Sequence, residues 1–94
     1  MKILVVCGSG LGSSFITEMN MKSILEELNL QDIEVEHTDL SSAKGTPADI
    51  YIGTRDITTQ FTDFRGEIIS LDNMIDKKYM KDKLVEKLKE MNIL

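Results

Sequence analysis

Residues 3–14 read ILVVCGSGLGSS, and this stretch decides both the fold and the chemistry. Its first four residues are apolar and are typical of a strand that is buried on both faces of a parallel sheet. Glycines and serines follow at once, and an amphipathic segment begins behind them. Cys7, the only cysteine in the chain, is therefore predicted to lie at a strand-to-helix turn.

The position of Cys7 favours a reactive thiolate. The first N–H groups of a helix have no partner within it, so they stabilise a thiolate and can hold an anion that is bound to the sulfur. We predict Cys7 as the nucleophile and the following seven residues as the anion-binding loop: Gly8, Ser9, Gly10, Leu11, Gly12, Ser13 and Ser14. The alternative is that Cys7 is only a small buried apolar residue.

Composition and charge limit the classes of function. The 94 residues, 41% hydrophobic and 29% charged, predict a single globular domain over residues 1–94. A net charge of −5 leaves no basic surface for nucleic acid. No apolar run approaches the roughly 18 residues that span a bilayer, and a lone cysteine fits a reducing compartment. We therefore expect a cytoplasmic protein that does not insert into the membrane.

Strand and helix patterns alternate along the chain. The predicted strands cover residues 2–6, 33–37, 48–53 and 67–71, and the predicted helices cover residues 13–28 and 75–91. Ser13 or Ser14 is the expected N-cap of the first helix, and residues 57–64 are ambiguous between a short helix and a loop. Apolar residues recur at helical spacing in the first helix, with Glu18 among the polar residues between them: Phe15, Ile16, Met19, Met21, Ile24, Leu25 and Leu28.

This alternation predicts an α/β fold with a small doubly wound parallel sheet of about four strands in the order 2-1-3-4 and helices on both faces. The strictly alternating second strand is expected at the sheet margin. Ligands bind such sheets beside the first strand, at the carboxyl edge. Cys7 is expected there, with the ends of two further strands as its neighbours: Thr38, Asp39, Gly53, Thr54 and Arg55.

Three known glycine-loop chemistries can be compared with residues 7–14. A Walker loop needs a lysine that reaches the terminal phosphates, and residues 3–21 contain none. A dinucleotide fingerprint needs GxGxxG, whereas the glycines here are spaced GxGxG. A low-molecular-weight tyrosine phosphatase, which has a similar fold, needs an arginine six residues after its cysteine, and Ser13 stands there. After these exclusions, the remaining role for the loop is to hold a phosphoryl group on the cysteine sulfur without an arginine or a metal.

The loop sequence CGSGLGSS of residues 7–14, the strand start Ala48-Asp49-Ile50 and the order of strands and helices resemble the EIIB components of the bacterial phosphoenolpyruvate-dependent sugar phosphotransferase system. The ascorbate-specific type is the most similar, followed by the galactitol type. The resemblance covers essentially the whole chain. It implies that Cys7 accepts a phosphoryl group from a phosphohistidine of EIIA and passes it to a sugar held by the membrane component EIIC. It implies no cofactor and no metal.

Such a relay agrees with the residues of the loop. In-line phosphoryl transfer needs donors for the equatorial oxygens, which the N–H groups of residues 8–14 and the helix dipole can supply. Small residues let the phosphoryl group approach the backbone. The missing arginine is consistent with a phosphoryl group that must stay labile toward its next acceptor.

Other residues carry weaker signals. His37, the only histidine, shares its strand face with Ile33 and Val35, which indicates a packed or strand-end role rather than catalysis. Arg55 could assist a bound phosphate, although an exposed surface arginine is the commoner outcome. Leu11 and Phe15 could form an apolar rim around Cys7 for docking of EIIA and EIIC, or Phe15 could pack under a neighbouring loop.

Two other functions remain open at this point. A phosphatase or arsenate-reductase-like hydrolase would share the architecture, and the absent arginine argues against it. A non-catalytic regulatory module would leave Cys7 unmodified in the presence of the phosphotransfer proteins. The identity of the sugar is not encoded in any residue of this chain, because EIIC binds the sugar.

Overall fold

The computed structural model describes residues 1–7, 11–30, 32–60, 66–72 and 76–94, with the side chains of residues 7 and 11–14 outside the description. Strands and helices alternate along the chain as β1 (Lys2–Cys7), α1 (Leu11–Glu27), β2 (Glu34–Asp39), α2 (Leu40–Ala43), β3 (Ile50–Thr54), α3 (Arg55–Thr58), β4 (Glu67–Leu71) and α4 (Lys77–Glu90).

The sheet has four parallel strands in the order β2-β1-β3-β4, so the predicted α/β fold and strand order are confirmed. β1 is an inner strand, and β2 lies at the sheet margin as its alternating pattern predicted. The pairing of β1 with β2 runs from Lys2 opposite Glu34 to Cys7 opposite Asp39. The carboxyl ends of the strands therefore meet at one edge of the sheet, and Cys7 ends β1 at that edge.

Helices cover both faces of the sheet, but with unequal cores. Alternate residues of β1 point to opposite faces, because successive side chains of a strand do. Ile3 and Val5 join the larger cluster, to which α1 and α4 contribute Met21 and Leu84. The smaller cluster lies on the opposite face, under the short helices α2 and α3, and its buried members are Leu4, Val6, Ala43, Tyr51 and Ile57. The long helices α1 and α4 thus cover one face of the sheet, and the single-turn helices α2 and α3 cover the other.

The element boundaries differ from the predicted ones at several points. α1 begins at Leu11, so Ser13 and Ser14 lie inside its first turn and the predicted N-cap role is wrong. The short helix α2 lies between the second and third strands, where the sequence predicted no helix. The ambiguous segment 57–64 contains the end of α3, which begins earlier, at Arg55. Apolar spacing did not reveal these short helices because they hold only one turn each.

Both long helices end on an asparagine in the left-handed conformation, Asn29 with φ 60° and Asn92 with φ 62°. After α1 the N–H of Leu30 donates to the carbonyl of Leu25 at 2.8 Å, and Leu30 then packs against the larger core. Ile93 repeats this arrangement after α4. Asparagine is one of the few residues that adopt this conformation at low cost, so it stops the helix and turns the chain back onto the core.

Replacing Gly66 with alanine is expected to destabilise the fold, whereas the same replacement at Gly45 is expected to have little effect. A Cβ at Gly66 would lie 2.7 Å from the backbone oxygens of Ala48 and Asp49, which no rotamer change can relieve. We expect Gly66→Ala to lower the free energy of unfolding by about 1–3 kcal/mol. At Gly45 the nearest atom is 3.9 Å away, so Gly45→Ala serves as the matched control. Urea denaturation of both variants checks this, and equal stabilities would contradict it.

Candidate functional site

Cys7 is the last residue of β1 and pairs in register with Asp39, the last residue of β2. Val6, one residue earlier, pairs with Thr38. Both predicted neighbours from the second strand therefore lie beside the end of β1. The backbone of Cys7 stands at the carboxyl edge of the sheet, where the strand order changes direction and where doubly wound sheets bind their ligands.

The predicted phosphate loop divides into two parts in the structure. Gly8, Ser9 and Gly10 lie outside the described residues. The backbone of residues 11–14 forms the first turn of α1. The N–H groups of a first helical turn have no acceptor within the helix, and the helix dipole adds positive potential at that end. Only three residues separate Cys7 from this turn.

Asp39 is held by the start of the next helix. Its carboxylate is the N-cap of α2 and accepts hydrogen bonds from the backbone N–H of Ser42 at 2.7 Å and from the hydroxyl of Ser41 at 3.3 Å. The bond from the Ser42 N–H is the main cause that holds the pKa of Asp39 below its ordinary value. Asp39 therefore carries its negative charge at neutral pH beside the end of β1.

The end of β3 lies on the other side of β1. A Cβ at Gly53 would lie 3.2 Å from the carbonyl oxygen of Val6, so glycine permits the close approach of these two backbones. Arg55 follows β3, but its side chain is 72% exposed and its guanidinium bonds both carboxylate oxygens of Asp72, at 2.9 and 3.0 Å. Arg55 is thus engaged with the end of β4.

The outward face of α1 next to the site is apolar. Phe15, Ile16 and Met19 are 51%, 47% and 55% exposed, whereas Met21 and Ile24 are fully buried. The sequence analysis placed Ile16 and Met19 at the same helical spacing as the buried Met21 and Ile24, and for Ile16 and Met19 that grouping is wrong. The alternative in which Phe15 packs under a loop is also not what the structure shows, since half of its surface is open.

Glu18 and His37 form a contact that the sequence analysis did not find. Glu18 was assigned to the polar face of α1, yet it is buried, and its Oε2 lies 3.2 Å from Nδ1 of His37. The predicted packed role of His37 is confirmed, because its ring also meets the ring of Phe15 edge to face. Spacing could have revealed Glu18, which lies three and seven residues before the buried Met21 and Leu25.

Within the described residues, no three side chains of histidine, cysteine, aspartate or glutamate are grouped so that they could hold a metal ion. In the same part of the chain, no helix is both long enough and apolar enough to cross a membrane.

The parallel sheet with a cysteine at the end of its inner strand is the arrangement expected of a phosphotransferase-system EIIB component, and comparison with known proteins agrees. The family model described as "PTS system, Lactose/Cellobiose specific IIB subunit" matches residues 2–86. The chain therefore belongs to this family, and it serves phosphoryl transfer in sugar uptake. Components of this class generally work with EIIA and EIIC partners.

Two curated relatives carry a more particular name. The chain is 28% identical to the "Ascorbate-specific PTS system EIIB component" of Mycoplasma pneumoniae, over 87% of this chain and 88% of the relative. It is 32% identical to the protein of the same name from Escherichia coli, over 95% of this chain and 90% of the relative.

The lowered pKa of Asp39 predicts a pH dependence of stability. Asp39→Asn keeps an oxygen for the cap and removes the charge. Because the folded-state pKa lies below the unfolded one, the charged group stabilises the fold above the unfolded pKa and loses this contribution as the pH falls through the folded pKa. We expect the difference in unfolding free energy between wild type and variant to shrink below about pH 4. Urea denaturation across this range measures it, and a constant difference would contradict the assignment.

Proposed function

We propose that the chain is a phosphoryl carrier in which Cys7 is phosphorylated by EIIA and then phosphorylates a sugar bound to EIIC. The observation that supports this most directly is the place of Cys7 in the fold. It ends an inner strand at the carboxyl edge of the sheet, and the first turn of α1 begins at Leu11. A cysteine so close to a helix start can ionise and can hold an anion on its sulfur.

The first step transfers the phosphoryl group from nitrogen to sulfur. The Cys7 thiolate attacks phosphorus in line with the N–P bond of a phosphohistidine on EIIA. The S–P bond forms as the N–P bond breaks, and the released imidazole nitrogen takes up a proton. In the second step a sugar hydroxyl attacks phosphorus, loses its proton to solvent or base, and releases the Cys7 thiolate. No net oxidation or reduction occurs.

The chain contributes position and charge stabilisation to both steps. We infer that the N–H groups of Gly8, Ser9 and Gly10 and of the first helical turn from Leu11 to Ser14 bind the equatorial oxygens as their charge shifts. Arg55 takes no part in this, because its guanidinium is bonded to Asp72. Because residues 8–14 contain no arginine to clamp it, the phosphoryl group stays available to the next acceptor, which favours a relay over a phosphatase.

The substrate and location follow from the same role. Both curated relatives are named as ascorbate-specific, and we propose ascorbate as the sugar that receives the phosphoryl group. A carrier that is charged by EIIA and discharged on the inner side of EIIC works in the cytoplasm.

The decisive prediction concerns a covalent adduct on Cys7. We mix the chain with phosphoenolpyruvate, the general phosphotransfer proteins and EIIA components that include the ascorbate-specific type. Intact mass spectrometry is expected to show one added phosphoryl group on the wild type and none on Cys7→Ser, because the serine hydroxyl stays protonated where a thiol ionises.

Two controls separate the alternatives. The adduct should be stable to alkali and labile to iodine, as expected of a thiophosphate ester, and Lys78→Ser, which changes an exposed residue of α4, should still carry it. Release of phosphate from an aryl phosphate ester by the chain alone would favour a hydrolase instead. An unmodified wild type with every EIIA tested would favour a regulatory module and reject the relay.

We further propose that EIIA docks on the apolar surface formed by Phe15, Ile16 and Met19. These side chains lie on the exposed face of the first turns of α1, next to the phosphate loop. Exposed aromatic and methionine side chains are enriched in interfaces because they bury much area on contact. The phosphohistidine must reach the sulfur, so a docking surface has to border the loop.

Docking predicts an effect on binding without an effect on the chemistry. We expect Met19→Ser to raise the phospho-EIIA concentration at half-maximal rate by about tenfold, because a buried apolar contact is lost. The maximal single-turnover rate should stay within about twofold of wild type. Lys78→Ser, on the exposed side of α4, is the control. A variant that lowers only the maximal rate would place Met19 in another role.

A further inference from the structure

Glu18 and His37 form a largely buried polar contact outside the phosphate loop. The Glu18 side chain is only 12% exposed and the His37 side chain 29% exposed. Lys22 also faces the carboxylate, but at 3.9 Å and from a mostly exposed position. Removing a carboxylate from water costs free energy unless a partner compensates the charge. Among the described residues, His37 is the nearer of the two partners of Glu18, so the contact holds both side chains in place.

The contact with Glu18 determines that Nδ1 of the His37 imidazole carries a hydrogen. A carboxylate can only accept, so Nδ1 must carry a hydrogen for the approach to be attractive, and both the neutral Nδ1–H tautomer and the imidazolium provide one. Nδ1 is buried and has no aligned hydrogen bond with any described residue. The attraction is therefore one between the negative carboxylate of Glu18 and the Nδ1 hydrogen rather than an aligned hydrogen bond, and it draws one edge of the ring toward α1.

The other contact of the imidazole is Phe15. The two ring centroids are 5.9 Å apart and the ring planes meet at 87°, which is the edge-to-face geometry that aromatic pairs prefer. Phe15 and Glu18 lie three residues apart on α1 and so on one side of the helix. His37 on β2 is thus positioned by Glu18 and packs against Phe15. Half of the Phe15 surface remains exposed above this support.

Phe15, Glu18 and His37 lie near the end of β1, where Cys7 stands. His37 pairs in register with Val5, two residues before Cys7. We propose that Glu18 and His37 are positioning residues that hold Phe15 in the orientation in which it meets the phosphoryl donor. This inference rests on the proposed function and extends it to residues that do not touch the phosphoryl group. A side chain held before contact loses less conformational entropy on binding.

The kinetic test uses the single-turnover transfer from phospho-EIIA. We expect His37→Ala to raise the half-saturating donor concentration by about threefold to tenfold. This is the change in affinity that corresponds to the loss of one aromatic pair. The maximal rate and the rate of Cys7 alkylation by iodoacetamide should be unchanged. In a Phe15→Ala background the same substitution should add nothing. An equal increase in that background, or slower alkylation, would overturn the proposal.

The carboxylate has its own test. Glu18→Leu keeps the volume but removes the acceptor, so it should reproduce most of the His37→Ala effect. Glu18→Gln keeps the shape of the side chain but removes its negative charge, so it should show most of the Glu18→Leu effect. Lys22→Gln removes the exposed partner of the same carboxylate and is the matched control. Equal effects of Lys22→Gln and Glu18→Leu would contradict the assignment.

A measurement without a donor keeps this inference separate from the relay itself. Nuclear Overhauser contacts between the Phe15 and His37 rings should be present in the wild type and lost in Glu18→Leu. Circular dichroism confirms that each variant is folded, and His37→Gln replaces His37→Ala if the latter does not fold. If the wild type accepts no phosphoryl group, the proposed function fails, while unchanged ring contacts in Glu18→Leu reject the positioning role alone.

Discussion

The parallel pairing of β1 with its two neighbours is the constraint on which the other features depend. β1 lies inside the sheet, and its apolar residues are buried alternately on the two faces. Its register with β2 sets Cys7 opposite Asp39, and its pairing with β3 brings Gly53 close to the carbonyl of Val6. A shift of the register by one residue would turn every buried side chain of β1 to the wrong face. The core therefore fixes the end point of the strand, and that end point is where the chain's one thiol stands.

Much of the architecture could be read from the sequence because strong periodic signals carry it. The apolar run of β1, the alternation in β2 and the long helical patterns gave the strand order and both long helices. β4 was predicted over residues 67–71, which are its bounds in the structure. The single-turn helices α2 and α3 were not predicted as such, because one turn contains too few residues to show a period. Their starts depend on side chains such as Asp39, which can act as a cap or simply end a strand.

The residues of the site could be predicted where the residue type alone indicates the chemistry. They were harder to predict where their role depends on burial or on contacts with residues of other elements. Cys7 and the glycines after it stand out in any reading of the chain. The burial of Glu18 depends on which side of α1 packs on the sheet, which its spacing from Met21 and Leu25 indicates but its charge does not. The exposure of Ile16 and Met19 has the same origin, since the helix can bury only part of a broad apolar face. The engagement of Arg55 with Asp72 joins residues far apart in the chain and becomes visible only once β3 and β4 are paired.

The unequal cores on the two faces have a consequence for motion. α1 and α4 share a large cluster with all four strands, whereas α2 and α3 cover a small one. Segments with few buried apolar contacts open at a lower free energy than the rest of a fold. Amide hydrogens of the two single-turn helices should thus exchange with solvent sooner than those of α1, while the strand ends beside them stay paired. The face under α2 and α3 is therefore expected to open locally more often, whereas the larger core under α1 and α4 keeps the start of α1 in a constant place next to the end of β1.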